Sequence, residues 1–241
     1  MAYSQILTLY KFLRSIKGLE NLEIDFVADE TGVRETNRIV GENTVTADDY
    51  INGVFYPEYH CTVEDGLRFR DWDYVSIQQV SGNSVNYDTF QPYLNALAEY
   101  VRKYSPRSKI YIHQTWAYEE GSQRLCVEKG YAKEADMLAD AVVSYDKAAE
   151  AIGADGIIPS GLVMYALHQR IPAVHRDTFH ASWGAGRFAL ALNWYRCLTD
   201  GDISDVKFNG FDVPVTEEEY KDMFAKCSKI RKLLIASITT A

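Results

Sequence analysis

The residues best suited to chemistry lie in one stretch, Arg176-Asp177-Thr178-Phe179-His180-Ala181-Ser182-Trp183-Gly184-Ala185-Gly186-Arg187. Asp177 stands three residues before His180, and a small-residue helix start follows. In a D-x-x-H turn the carboxylate can accept a hydrogen bond from one ring nitrogen of the imidazole. That fixes the tautomer and leaves the other nitrogen as a base. A base and its orienting acid on one turn is how many serine esterases hold two members of a triad. Spacing alone is weak, because a helix-capping Asp beside an incidental His gives the same string. A place late in an α/β chain, just ahead of Gly184-Ala185-Gly186, favours the catalytic reading. The nucleophile is not evident from the residues.

Two other polar clusters follow strand-like segments. Gln78, Gln79, Ser81 and Asn83 offer amides and backbone N–H groups of the kind that bind an oxyanion; the plainer reading is a polar turn capping the next helix. His113-Gln114-Thr115-Trp116 could line a sugar or acyl pocket, with Trp116 stacking and His113 or Gln114 donating. The plainer reading there is a strand-end histidine satisfied by backbone. The five histidines, His60, His113, His168, His175 and His180, show no H-x-H or H-E-x-x-H spacing, so no metal is expected. Gly32 and Gly41 make no phosphate-cradling loop, and no cofactor motif is present.

The elements that must position these groups alternate. Apolar spacing predicts a helix over 3–16 (Ile6, Leu9, Leu13, Ile16) and then a strand at Leu22–Val27. Residues 29–65 read as a long irregular loop with short extended pieces. Strands are expected at Trp72–Gln79, Lys109–His113 and Gly156–Pro159. Between and after them come helices carrying Phe90, Leu94 and Val101 on one face (capped by Asn86 or Asp88), then Ala132–Ile152, then one opened by Ser160-Gly161, then one with Phe188, Leu192 and Tyr195. Val206-Lys207-Phe208, Asn209-Gly210 and Phe211-Asp212-Val213 predict a β-hairpin with a type I′ turn. A closing helix over 217–238, with Thr216 as N-cap, completes the chain. The expectation is a single domain over 1–241, with a core over 1–200 and a C-terminal hairpin and helix over 201–241. Its mostly parallel sheet should be covered on both faces, with active residues at the carboxyl ends of the strands.

A chain of 241 residues with 47% hydrophobic content can bury one sizeable α/β core. The net charge of −9 repels phosphate, which argues against a nucleic-acid partner. The 17 tyrosines and 4 tryptophans fit either an aromatic-lined groove or a Tyr-rich core. Cys61, Cys126, Cys197 and Cys227 form no C-x-x-C pair and read mostly as buried thiols. No apolar run is long enough to cross a bilayer, so no membrane partner is expected. Met1-Ala2-Tyr3-Ser4 lacks signal-peptide features. Oligomeric state and compartment are left open.

Four segments resemble one family: Trp72-Asp73-Tyr74-Val75-Ser76-Ile77-Gln78-Gln79-Val80-Ser81, Tyr111 to Tyr118, Ile157-Ile158-Pro159-Ser160-Gly161, and Asp177 through Tyr195. Together they look like a bacterial branch of the SGNH (GDSL-like) hydrolases, the DUF4886 group. The resemblance covers about Leu22 to Thr199. It implies a three-layer α/β/α flavodoxin-like sandwich and ester hydrolysis, often deacetylation of carbohydrates, so the implied partner is a small-molecule or saccharide ester. Asp177 and His180 would match the family's acid and base. Gln79 and Ser81 fall about where the wider superfamily carries its oxyanion residues, and Gly32 would match its glycine donor. The family opens with a strand ending in a G-N-S-F-S-like turn that carries the nucleophile. No such segment stands here, and Ser4 lacks that strand context. The first strand and the nucleophile are therefore expected to be missing, with any export signal lying in that same part. The chain should be nearly inert alone, and the Leu22 strand should lose its inner partner. The alternative is a glycan-binding pseudoenzyme or a partner-binding domain of the same fold.

Overall fold

The computed structural model describes Ser15 and residues 27–29, 45–51, 54–61, 63–68, 71–204, 206–208, 210–211 and 213–227. The expectations for Ser4, Gly32, Asn209, Asp212 and the end of the closing helix lie outside these residues, as does all but Ser15 of the helix over 3–16. Two sheets are present among them. The first is antiparallel: β1 (Val27–Asp29), β2 (Val45–Ile51) and β3 (Val54–Cys61) pair in that order, with a register shift between Ala47 and Asp49. A six-residue helix follows, α1 (Val63–Arg68). This corrects the reading of 29–65 as loop. Val45, Thr46, Tyr50, Ile51, Val54, Phe55 and Tyr56 favour a pleated backbone, and Asn52-Gly53, a strong hairpin dipeptide, stands between the two strands. It also corrects the strand expected at Leu22–Val27: its described end pairs with β2, not with the parallel sheet.

The second sheet is parallel, with β4 (Tyr74–Ile77), β5 (Lys109–Gln114) and β6 (Gly156–Pro159) in sequence order. Tyr74 sits opposite Lys109, and Tyr111 opposite Gly156. Helices make the crossovers, as parallel pairing requires: α2 (Tyr93–Tyr104) between β4 and β5, and α3 (Glu134–Ile152) between β5 and β6. After β6 come α4 (Ser160–His168), α5 (Ala185–Thr199) and a helix α6 over 217–227.

Alternation along β5 sorts the layers. Ile110 and Ile112 point to one face, where they pack with Ile77 against Phe90, Leu94 and Val101 and against Ala141, Tyr145 and Ile152 of α3. On the other face the His113 ring lies edge-on to Trp194 of α5 at 4.9 Å, and the Tyr74 hydroxyl donates to the Leu198 carbonyl at 2.7 Å. The sheet is thus covered on both faces, by α2 and α3 on one side and α5 on the other. A larger apolar cluster joins α4 and α5 through Val163, Met164, Leu167, Phe188 and Leu192. Local signals set the helix ends. Gly153 takes φ 55° and its N–H caps α3 through the Ala149 and Glu150 carbonyls. Thr216 and Glu219 form a reciprocal capping box at the start of α6.

The C-terminal hairpin is not formed: the described residues of 206–211 carry no strand. One hydroxyl takes the place of a partner strand, since Tyr220 Oη accepts from the Phe208 N–H at 3.0 Å and donates to the Val206 carbonyl at 2.8 Å. The Phe208 and Phe211 rings each pack 5.1 Å from Phe188. Aromatic burial against α5 outweighs cross-strand pairing here. Of the cysteines whose side chains are described, Cys227 is buried, Cys197 is half-buried with its Sγ 3.7 Å from Asn193 Oδ1, and Cys126 is exposed.

The carboxyl edge of the sheet is held by a close approach at Gly161. A Cβ there would stand 2.6 Å from the Thr115 carbonyl oxygen and 2.9 Å from Gln114 Oε1. Gly161→Ala should therefore force α4 away from the end of β5 and cost about 1–3 kcal/mol. Urea unfolding followed by circular dichroism measures this, and an unchanged midpoint would contradict the packing described.

Candidate active site at the carboxyl edge of the parallel sheet

Asp177 and His180 sit on a narrow loop between α4 and α5. Its stem is closed by backbone pairing: His175 bridges Ala181, the Arg176 N–H donates to the His180 carbonyl at 2.8 Å, and the Ser182 N–H donates to Val174 at 2.8 Å. Thr178 takes φ 70° at the tip, a left-handed turn residue. The segment after β5 grips this tip. The Trp116 indole N–H donates to the Phe179 carbonyl at 2.6 Å, and the Glu119 N–H donates to the Thr178 carbonyl at 2.8 Å. The Arg124 guanidinium lies 4.1 Å over the Phe179 ring. Trp116 is only 7% exposed, so it does not stack on a sugar as expected; its indole N–H positions the Asp177–His180 loop instead.

Within the loop, His180 Nδ1 lies 2.9 and 2.8 Å from the two carboxylate oxygens of Asp177, and the His180 backbone N–H also donates to Oδ1 at 3.0 Å. A cap alone would need only the backbone bond; the ring contact is the additional feature that an orienting acid requires. Arg176 Nε stands 3.3 Å from Oδ2. Burial nudges the Asp177 carboxyl upward, but the ring and backbone hydrogen bonds of His180, with the charges of His180 and Arg176, outweigh it and hold the group at about 2. Asp177 is thus ionised at any working pH. A carboxylate only accepts, so the Nδ1 contact calls for a proton on that nitrogen and turns Nε2 away from Asp177. The side chains are 43% and 34% exposed, so a substrate can reach them.

Beneath this edge runs a buried polar chain. Asn193 Nδ2 donates to Ser160 Oγ at 3.3 Å, Ser160 Oγ lies 2.8 Å from His113 Nε2, and His113 Nδ1 lies 2.7 Å from Gln78 Oε1. Since a carboxamide oxygen only accepts, Nδ1 carries the proton and Nε2 accepts from the Ser160 hydroxyl. That polarity requires a neutral ring. Burial enforces it, pushing His113 down to about 3. With its oxygen held by His113, the Gln78 amide must turn its NH2 the opposite way.

The remaining expected residues are placed as follows. Gln79 is buried and engaged locally: Nε2 donates to the Thr89 carbonyl at 3.0 Å and Oε1 accepts from the Val80 N–H at 2.8 Å. Ser81 is half-buried and its carbonyl accepts from Ser84 Oγ at 2.9 Å. Asn83 is exposed, and its carbonyl accepts from Thr89 Oγ1 at 2.8 Å. Gln114 Oε1 accepts from the Leu162 N–H at 3.3 Å, tying β5 to α4. Gly32 lies outside the described residues. The residue-level reading missed Trp183, which is 38% exposed with the guanidinium of Arg176 4.4 Å and that of Arg187 3.4 Å from its ring centroid. Its place three residues after His180 was the available signal. A cleft of about 430 Å³ lined by Leu67, Trp72, Tyr104 and Arg107 lies at the opposite, amino end of β4 and β5. It cannot serve this edge.

The class is that of an α/β protein with a parallel sheet, with the Asp177–His180 pair at its carboxyl edge. The family profile described as "Domain of unknown function (DUF4886)" matches residues 42–226, and the chain belongs to that family. The fold is shared with the crystal structure of a DUF4886 family protein from Bacteroides uniformis, at TM-score 0.77 and 22% identity over 92% of this chain and 87% of that one. A putative GDSL-like lipase from Parabacteroides merdae aligns over 47% of this chain and 50% of its own at 19% identity and TM-score 0.38. No curated protein matches.

Two measurements check this geometry. Trp116→Phe removes the donor to the Phe179 carbonyl and should cost about 1–3 kcal/mol, with the His180 ring signals broadened or shifted in NMR spectra; an unmoved His180 would show that the indole does not hold the loop. His113 has a folded pKa of about 3, below its ordinary 6.5. Its contribution is complete above pH 6.5 and is lost as pH falls from 6.5 towards 3. Unfolding free energy should drop by up to about 1.4 kcal/mol per pH unit from this group. His113→Gln should flatten that slope, and equal slopes in the two proteins would count against a buried neutral ring.

Proposed function

We propose that the chain is a serine-type ester hydrolase of the SGNH kind, acting on acyl groups carried by a saccharide. The observation that carries the reading is the Asp177–His180 pair, with both carboxylate oxygens within 2.9 Å of Nδ1. His180 Nε2 takes the proton of the attacking serine and returns it to the leaving alkoxide, while Asp177 stabilises the imidazolium formed between these steps. The attacking serine is assigned, by the resemblance, to the strand that neighbours β4 in a flavodoxin-like order. The tetrahedral intermediate places its negative charge on the former carbonyl oxygen. The Gln78 NH2, oriented by the buried His113, is the side-chain donor assigned to it, with Ser81 as the second. The saccharide rests on the resemblance; Trp183 is 38% exposed, but its ring already carries the guanidiniums of Arg176 and Arg187.

The test uses the full-length product of the gene. A fluorophosphonate probe should label one serine, located by peptide mass spectrometry, and p-nitrophenyl acetate should be turned over. His180→Ala should lower kcat/KM roughly 10³-fold or more and Asp177→Asn roughly 10²-fold or more, with circular dichroism unchanged. Turnover that survives His180→Ala within a factor of about ten would sink the assignment of the base. Binding of acetylated oligosaccharides with no labelling and no hydrolysis would replace the hydrolase by a glycan-binding protein.

A further inference from the structure

Behind the Asp177–His180 loop, three elements bring potential ligands together. Glu134 opens α3, His168 closes α4, and His175 is the residue whose backbone bridge closes the loop stem. One carboxylate oxygen and one nitrogen from each ring lie within 4.8 Å of one another. Glu134 Oε2 stands 2.5 Å from His168 Nδ1, and the two imidazoles meet edge-on at 5.1 Å.

The cluster is left unsatisfied in a way a packed core does not tolerate. His175 is 6% exposed and neither of its ring nitrogens has a hydrogen-bond partner; the Ala117 carbonyl favours its charged form but makes no bond of normal geometry. Glu134 is 1% exposed and its Oε1 is also without a partner. Each such buried group forfeits on the order of 1–3 kcal/mol. Glu134 and His175 thus bring unpartnered lone pairs to a cluster in which one ligand atom from each of the three residues lies within 4.8 Å of the others, and a cation is the species that accepts them. Nearby charge agrees in sign: Glu119 and Glu120 lie close enough to act on Glu134, and Asp177 close enough to act on His175.

We propose that Glu134, His168 and His175 form a binding site for a divalent transition ion, with zinc the best match. Two imidazoles and one carboxylate suit borderline metals rather than calcium or magnesium. Ligand atoms about 2.0–2.2 Å from zinc stand roughly 3.3–3.5 Å apart at tetrahedral angles. The cluster reaches that spacing by a contraction of about an ångström and by exchange of the Glu134–His168 hydrogen bond for two metal bonds. The ligand set leaves a fourth position for water. The ion would join the ends of α3 and α4 to the stem of the loop that holds Asp177 and His180. It thus acts as a staple for that loop, and the assignment stands whether or not the protein hydrolyses esters.

The test uses the full chain, stripped with chelator and then given zinc or cobalt(II). Wild-type protein should retain one equivalent of zinc after dialysis, show cobalt(II) d–d absorption of four- or five-coordinate intensity, and gain roughly 5–10 °C in thermal midpoint at about 100 times the zinc Kd. His175→Phe keeps a ring of similar size and sacrifices no hydrogen bond, so the variant should fold. It should lose the bound equivalent, the cobalt bands and the thermal gain together. His168→Ala should lose them as well. Wild type that retains no zinc and gains nothing from it, or a His175→Phe protein that binds zinc as before through a cysteine or surface site, overturns the proposal.

Discussion

The candidate site depends on a single clamp. The loop from His175 to Ser182 has few apolar side chains of its own to bury, and an exposed turn of that size would sample many conformations at a cost of roughly 1–2 kcal/mol for each residue ordered. Two hydrogen bonds from the segment after β5, the Trp116 indole to Phe179 and the Glu119 N–H to Thr178, fix the tip at its left-handed residue and at the one that follows. Because Trp116 is itself seated in the apolar cluster of α4 and α5, the loop inherits the rigidity of the core. Asp177 and His180 then need no search to find one another. The carboxyl end of one parallel strand orders the loop that follows another, the kind of cooperation that places sites at this edge of parallel sheets.

A second constraint runs beneath the edge. Asn193, Ser160, His113 and Gln78 make a chain in which every donor direction follows from the carboxamide at its end. Such a chain is costly if half satisfied and specifying when complete. It joins α5, α4, β5 and the end of β4, so the register of the parallel strands and the seating of two helices are read out by one set of hydrogen bonds. Substitution of His113 takes a partner from both Gln78 and Ser160 at once. The chain therefore binds the Gln78 amide to the same framework that holds the Asp177–His180 loop.

Much of this was legible in the residues. The β-branched and aromatic residues of Tyr74–Ile77, the run at Lys109–Gln114 and the short apolar run at Gly156–Pro159 carried the parallel sheet, because buried parallel strands are rich in such residues. Asp177 and His180 were legible because they are local: three residues separate them and one turn joins them. What failed was non-local. Trp116 looked like a sugar platform until its indole N–H was seen to be spent on a carbonyl 63 residues away. Phe208 and Phe211 looked like hairpin strands, yet Tyr220 and Phe188 offered more burial than a second strand could. The hairpin of β2 and β3 was passed over although Asn52-Gly53 stood between two β-branched runs, since the many Thr, Asp and Asn around it read as loop. Glu134 and His168 are 34 residues apart, a separation that no spacing rule for metal ligands covers.

Three histidines at this edge show how environment, not identity, sets the role. His180 is one-third exposed and its Nδ1 faces a carboxylate held ionised at about 2. His113 is fully enclosed, faces a carboxamide and a hydroxyl, and is pushed down to about 3, so it transmits orientation and never charge. His175 is buried, lies beside another imidazole, and is pushed down to about 4, chiefly by burial and then by His168. A neutral imidazole with both nitrogens unbonded is a Lewis base without an acid, which is the condition under which burying a histidine makes sense only if something with vacant orbitals joins it. The same side chain thus meets a carboxylate, a carboxamide with a hydroxyl, and another imidazole within one edge of a sheet, and the difference among the three is fixed by how much water each retains and by what its two nitrogens face.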